Sequence, residues 1–353
     1  MHDAPPETCT PSRKAEHIRI NLERDVNGKN VSAGFDAYTF VHRALPEIDL
    51  ADVDTTLTLF GRRLQAPLLI SCMTGGTPEA SRINRRLAVV AAARGVAMGL
   101  GSGRAALEAP ETIESFNVRA EAPDILLFAN LGAVQLNKGY GLDECRRLVD
   151  LLHADVLVLH LNPLQEALQP EGDTCFGHLL ARIAELCERA DFPIVVKEVG
   201  WGIGPDEVRA LFEAGAAAVD LAGAGGTSWS EVERHRIAEP WRARVAGSFS
   251  QWGIPTAQAI VEARRIAPEQ TLIASGGVRT GLDVAKALAL GADLVGIAGP
   301  FLRAADRGVD EALDLAAEYA ETLRIVMFCT GARRLGDLRQ GRLRPSQPGM
   351  VPG

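Results

Sequence analysis

A (β/α)8 TIM barrel with an N-terminal extension and a long loop after its sixth strand is the fold class this 353-residue chain predicts. The first observation is a rhythm of eight short apolar runs: Pro67–Cys72, Val96–Gly101, Asp124–Gly132, Asp155–Leu161, Pro193–Glu198, Ala217–Gly223, Thr271–Gly277 and Asp293–Gly299. Between them lie stretches of helical spacing such as INRRLAVVAAARG, GHLLARIAELCERA and TGLDVAKALALG, several ending in Gly as a helix C-cap does. The second is that polar and glycine residues gather at the C-terminal ends of the runs, where barrels place their sites. An open doubly wound sheet competes, but it more often has fewer strands and an early Gly-rich first turn.

In chain order, residues 1–11 are expected to be disordered, and 12–66 to form the N-terminal extension. That extension ends in a hairpin over Thr56–Ala66 turning at Gly61. The barrel is expected over 67–340, with a flexible tail at 341–353. Gly223–Pro255 is longer than an ordinary strand-to-helix connection and reads as a mobile cover over the site.

A formal net charge of −8 argues against a nucleic-acid partner. The six cysteines show no CxxC pair, which suggests reduced thiols. No apolar stretch is long enough to span a bilayer and the polar N-terminus has no signal-peptide core, so a cytoplasmic location is expected.

The richest segment is DVLVLHLNPLQE, Asp155–Glu166. If it is extended, period two puts His160 and Asn162 on one face and Leu159 and Leu161 on the other. Pro163 then ends the strand, with Gln165 and Glu166 in the loop above. Lys197, after PIVV, falls in the barrel interior. A buried lysine needs an anion, and either a flavin ring or a carboxylate such as Glu198 supplies one.

Gly276, Gly277, Ala298 and Gly299 let a phosphate approach backbone N–H groups, and the helix after Thr280 points its N-terminus there. Thr227 and Ser228 are placed to close over it. Arg13, Lys14 and Arg104 bring positive charge which, with His160, suits a diphosphate. Glu166 suits a magnesium ion bridging the same oxygens.

RKAEHI, SCMTGG, GSGRAALE, HLNPLQEALQPEGD, KEVGWGI, DLAGAGGTSW and SGGVRTGLDVAKALALGADLVGIAGPFL closely resemble type 2, FMN-dependent isopentenyl diphosphate isomerase. The resemblance runs from about Arg13 to Gly336. It implies interconversion of isopentenyl and dimethylallyl diphosphate with reduced FMN and Mg2+, NAD(P)H serving as reductant, in a homotetramer or homo-octamer. Arg13, Lys14, Ser102, Arg104, His160, Asn162 and Gln165 match substrate positions, and Glu166 the metal position. Cys72, Met73, Thr74, Ser102, Asn130, Lys197, Thr227, Gly277, Val278, Arg279, Ala298 and Gly299 match flavin positions.

Gln165, His160, Asn162 and Lys197 are the expected catalytic group. No carboxylate or cysteine pair has a claim to be the acid that an unactivated alkene requires, so the reduced flavin is expected to move the proton. Two positions depart from the family. Gly103 stands where Gln is usual, which is expected to remove a substrate contact, and Cys72 stands where Ala or Ser is common. The rival readings are an FMN-dependent 2-hydroxy-acid or dihydroorotate oxidoreductase and a non-catalytic FMN-binding protein. The hydroxy-acid enzymes carry a His-Gly-x-Arg pairing after the strand that here ends in GAGGTS.

Overall fold

The computed structural model describes residues 10–346, and the expectations for 1–9 and 347–353 lie outside them. Eight parallel strands close a barrel. They are β1 (Leu68–Ile70), β2 (Ala97–Gly99), β3 (Leu127–Gly132), β4 (Val156–Leu161), β5 (Ile194–Glu198), β6 (Ala218–Asp220), β7 (Thr271–Ala274) and β8 (Leu294–Ile297). Each pairs with its neighbours in sequence, and β8 returns to β1 through Val295↔Leu68.

Strand alternation builds the molecule in layers. Leu69, Ala97, Phe128, Val156, Val195, Ala218, Ile273 and Leu294 point inward and form one apolar cluster. Their outward neighbours, such as Leu68, Leu157 and Val196, join a larger cluster with the surrounding helices. The helix Pro78–Arg94 shows how each unit is punctuated. Thr77 accepts the Ala80 N–H at its start, and Gly95, at φ 60°, ends it.

The hairpin lies where it is expected, Leu57–Leu59 pairing with Arg62–Leu64 through Phe60 and Gly61, both at positive φ. Leu57, Leu59, Phe60 and Leu64 plug the barrel interior at its N-terminal end, with Phe60 edge-on to Phe128. The opposite end is therefore the one left open for chemistry.

Three expectations change. Thr10 and Pro11, assigned to a disordered start, open the helix Thr10–Glu23. Leu343–Pro345, assigned to the flexible tail, pairs with Tyr38–Phe40 and so is tied to the extension. Gln165 and Glu166, assigned to a loop, sit in a short helix, Pro163–Leu168, because Pro163 occupies a first-turn position where its missing N–H costs nothing. After β2 the barrel has only a short helix, Arg104–Glu108, and a 3-10 turn, Pro110–Ser115. The long connection after β6 is ordered as two helices, Trp229–Arg236 and Pro240–Gly247. No helix among the described residues is long and apolar enough to cross a membrane.

Candidate active site

Beyond the inward apolar side chains of six of the eight strands the interior turns polar, with Ser71, Asn130, His160, Lys197, Asp220 and Ser275 at the next inward positions, while Gly99 and Gly296 stand there on the other two. All of these polar residues but Asp220 floor a cavity of about 300 Å3 at the C-terminal end of the barrel. Every residue matched to a substrate, metal or flavin position lines it: Cys72, Met73 and Thr74 after β1, Ser102 and Arg104 after β2, Asn130 on β3, and His160, Asn162, Gln165 and Glu166 on and after β4. Lys197, Thr227, Gly277, Val278, Arg279, Ala298 and Gly299 follow from β5 to β8, with Arg13 and Lys14 from the N-terminal helix.

Lys197 has a carboxylate partner, but not Glu198. Its Nζ lies 2.9 Å from Asp220 Oδ2 and donates to Ser275 Oγ at 3.1 Å, while Ser275 Oγ donates to Asp220 Oδ1 at 2.7 Å. Glu198 faces away from the barrel interior and accepts the N–H groups of Gly200 at 2.6 Å and Gly202 at 3.2 Å, and that of Trp201. Its burial pushes its pKa up to about 7. An acidic residue at an inward register inside the apolar run AAVDLAG was the available signal for Asp220.

His160 is neutral at pH 7: burial, then Lys197, Lys14 and Arg104, lower its pKa to about 4. Its Nδ1 lies 2.8 Å from Asn130 Oδ1, an acceptor, so in this orientation Nδ1 carries the proton. Nε2 is left as an acceptor beside Gly132.

Arg13, Lys14 and Arg104 crowd one end. Burial, then Arg104 and Arg13, bring Lys14 down to about 8, and burial with Arg104 lowers Arg13. Their carboxylate contacts are long, Arg104 to Glu108 at 3.7 Å and Arg13 to Glu171 at 3.9 Å. Lys14 donates to the Ser102 carbonyl at 2.9 Å. Such a group of cations fits a multiply charged anion.

Asn162 Nδ2 donates to Glu166 Oε1 at 2.7 Å and to Gln165 Oε1 at 3.2 Å, while its own Oδ1 is buried without a partner. Glu166 Oε2 accepts the Asp173 N–H at 2.6 Å. The described residues contain no cluster of three or more potential metal-ligating Asp, Glu, His or Cys. A cation held here would take one carboxylate from the chain and its other ligands from substrate and water, the pattern Mg2+ favours.

Gln165 is held from both sides, because its Nε2 donates to Glu233 Oε1 at 3.1 Å. That carboxylate, on the first helix of the long loop, is fully buried and also accepts from Gln169 Nε2 at 2.7 Å and Arg236 Nη1 at 2.6 Å. His17 Nε2 lies 3.2 Å away. Burial would raise its pKa, but the His17 hydrogen bond and the His17 and Arg236 charges outweigh it and hold the group near 2. Sequence reasoning missed Glu233, since SEVERHR reads as a solvated helix.

The phosphate cradle differs from expectation in its donors. Asp283 Oδ2 already accepts the N–H groups of Arg279 and Thr280, each at 3.0 Å, so the helix after Thr280 is self-capped. Gly299–Arg307, whose N-cap Ala298 has no side-chain hydrogen bond, offers a free N-terminus instead. Gly276 and Gly277 adopt positive φ, and a Cβ on Gly276 would lie 2.0 Å from the Gly223 carbonyl oxygen. Thr227 lines the cavity, whereas Ser228 Oγ turns to Ser230 Oγ at 2.8 Å. Gly103 also differs from expectation. A Cβ there would meet Leu148 at 2.5 Å, so the position faces away from the cavity and its Gly removes no direct contact.

This barrel and cradle are those of a flavin-binding class: the profile of FMN-dependent dehydrogenases matches residues 7–125 and 169–345. Among solved structures, mandelate oxidase with 3,3-difluoro-2-hydroxy-3-phenylpropionic acid aligns at TM-score 0.65 and 20% identity, covering 94% of this chain and 95% of that one. A Pediococcus acidilactici (putative) lactate oxidase aligns at 0.63 and 17%, covering 94% and 87%. At those identities the likeness is one of fold. The isopentenyl-diphosphate delta-isomerase of a Nostoc species is 52% identical over 330 residues, 94% of each chain. That of a Synechococcus species is 53% identical over 341 residues, 96% of this chain and 98% of the relative. The chain belongs to the isopentenyl-diphosphate delta-isomerase family.

Proposed function

We propose that the chain interconverts isopentenyl and dimethylallyl diphosphate, a 1,3-allylic proton transposition in isoprenoid biosynthesis. The observation that carries this reading is the trio Arg13, Lys14 and Arg104, three poorly neutralised cations at the cavity end next to Glu166. Arg13, Lys14, Arg104 and Ser102 take the diphosphate, and Glu166 would hold a Mg2+ that supplies further positive charge to it. A bound diphosphate reverses the electrostatics felt by His160. Once protonated, the ring donates through Nε2 to the anion.

The residues of the flavin set fit FMN: the Gly276–Gly277 turn and the free Ala298–Gly299 helix start suit its phosphate, and Lys197 with Ser275 and Asn130 suits its ring. When bound in reduced form, the group supplies acid–base chemistry at a ring nitrogen with no net redox change, so NAD(P)H serves only to prime it. Gln165, fixed between Asn162 and Glu233, orients the reacting carbons. Trp229 and the N-terminal helix keep water from the alkene. A homotetramer or homo-octamer, as the family resemblance implies, and the cytoplasmic location expected from the sequence complete the reading.

The test is anaerobic incubation of the reduced FMN- and Mg2+-loaded protein with isopentenyl diphosphate. Dimethylallyl diphosphate is the expected product, and its absence would sink the isomerase reading. Gln165→Ala should keep the flavin absorbance and lose turnover by about 10²-fold or more. Unchanged turnover removes Gln165 from the chemistry.

A further inference from the structure

Arg236 ends the first helix of the long loop, and its side chain is only 9% exposed. Its guanidinium reaches three carboxylates on three segments. Nη1 donates to Glu233 at 2.6 Å, Nη2 to Glu171 beyond the β4 helix at 2.8 Å, and Nε to Glu16 on the N-terminal helix at 3.3 Å. A planar fork carries five donors on three nitrogens, so each carboxylate takes a nitrogen of its own.

The apolar contact around it is thin. Ile20, Val26 and Val232 are the buried members of the cluster joining the N-terminal helix to the cover, with Trp229 packed against them. That seam is narrow, and although Ile18 and Leu22 of the same helix also pack on the main core, polar contacts hold the helix to the cover and set how Arg13 and Lys14 lie over the cavity. Two further contacts of that helix enter the site: Lys14 with the Ser102 carbonyl, and His17 with Glu233.

We propose that Arg236 is a positioning residue that closes the site, clamping the N-terminal helix, the segment at Glu171 and the carboxylate of Glu233 into one unit. The clamp acts in two directions. Through Glu16 it keeps Arg13 and Lys14 over the cavity. Through Glu233 it fixes the acceptor that orients the Gln165 carboxamide. The kinetic half of this inference rests on the isomerase reading, and the structural half does not.

The experiment compares wild type with Arg236→Met and Arg236→Lys, each loaded with FMN, by hydrogen–deuterium exchange. Arg236→Met should speed exchange at least about ten-fold in residues 13–23 and 165–173 while the barrel strands stay protected. It should also lower kcat by about 10²-fold and raise KM. Arg236→Lys, which keeps the charge without the fork, should recover part of both. Glu16→Gln frees only the N-terminal arm, so it should speed exchange in 13–23 alone and raise KM more than it lowers kcat. Unchanged exchange in 13–23 for Arg236→Met overturns the proposal, and so does an increase spread evenly over the barrel. If Arg236→Met does not fold, the double variant Glu16→Gln with Glu171→Gln is read by the same criteria. Should wild type lack isomerase activity, the proposed function fails while the exchange pattern still decides the clamp.

Discussion

The cavity carries positive charge in two places, and the two are built in opposite ways. At the floor, Lys197 is matched by Asp220 at 2.9 Å and by Ser275, so its charge is already neutralised in the protein. At the mouth, Arg13, Lys14 and Arg104 repel one another, and their carboxylate partners lie no closer than 3.7 Å. A paired buried cation holds a geometry. A crowd of weakly paired cations holds affinity in reserve for an anion, at a cost to the ligand-free fold.

Removing one charge should therefore have opposite effects at the two places. Asp220→Asn leaves Lys197 buried without its partner and should cost about 3–5 kcal/mol of stability, measured by chemical denaturation of the flavin-free protein. A loss under about 1 kcal/mol would mean that Ser275 alone suffices for Lys197. Arg104→Met, by contrast, should not lower the melting temperature of the ligand-free protein, because it relieves repulsion. Its effect should appear in KM for the diphosphate, which rises about 10- to 100-fold if one charged hydrogen bond is worth roughly 1.5–3 kcal/mol. A fall in melting temperature with KM unchanged would show that Arg104 is structural.

The same contrast has a pH signature. Lys14 sits near 8 in the fold, below its ordinary 10.5. Between those values the unfolded chain binds more protons than the folded one, so stability from this group rises with pH across that window. The penalty is fully present below pH 8. Anion binding runs the other way, since it needs the protonated amine. The dissociation constant for inorganic pyrophosphate should gain an added rise above pH 8, on top of the pH dependence set by proton uptake at His160 and by pyrophosphate's own titration. Lys14→Met should flatten that rise; if the rise persists, another group titrates.

How much of this was readable in the sequence depends on whether a position obeys a period. The barrel and the inward His160, Asn162 and Lys197 follow from strand alternation, which is local. The floor's pairing was half readable: an anion for Lys197 was required by burial, but its identity depended on which strand is neighbour to β5, a tertiary fact. Glu233 was hidden because its helix carries charges on every side, and its burial depends on elements distant in sequence, the N-terminal helix and the β4 helix among them. The self-capping of the helix after Thr280 was readable in principle, since T-x-x-D is a capping pattern. The glycines drew attention to phosphate first.

Gly103 is the smallest case and tests direction alone. The backbone there, φ −82° and ψ 6°, accepts any residue, but a Cβ would press on the buried Leu148 side chain, with Cδ1 at 2.5 Å. Gly103→Ala should therefore cost about 1–2 kcal/mol, because Leu148 has to shift within a packed core. Because the next residue is Arg104, any backbone shift passes directly to the mouth, and KM is the sensitive reading. An unchanged KM with a small drop in melting temperature is the expected result. A rise in KM as large as that of Arg104→Met would mean that position 103 governs where the guanidinium lies, and that its glycine is a feature of the cationic end after all.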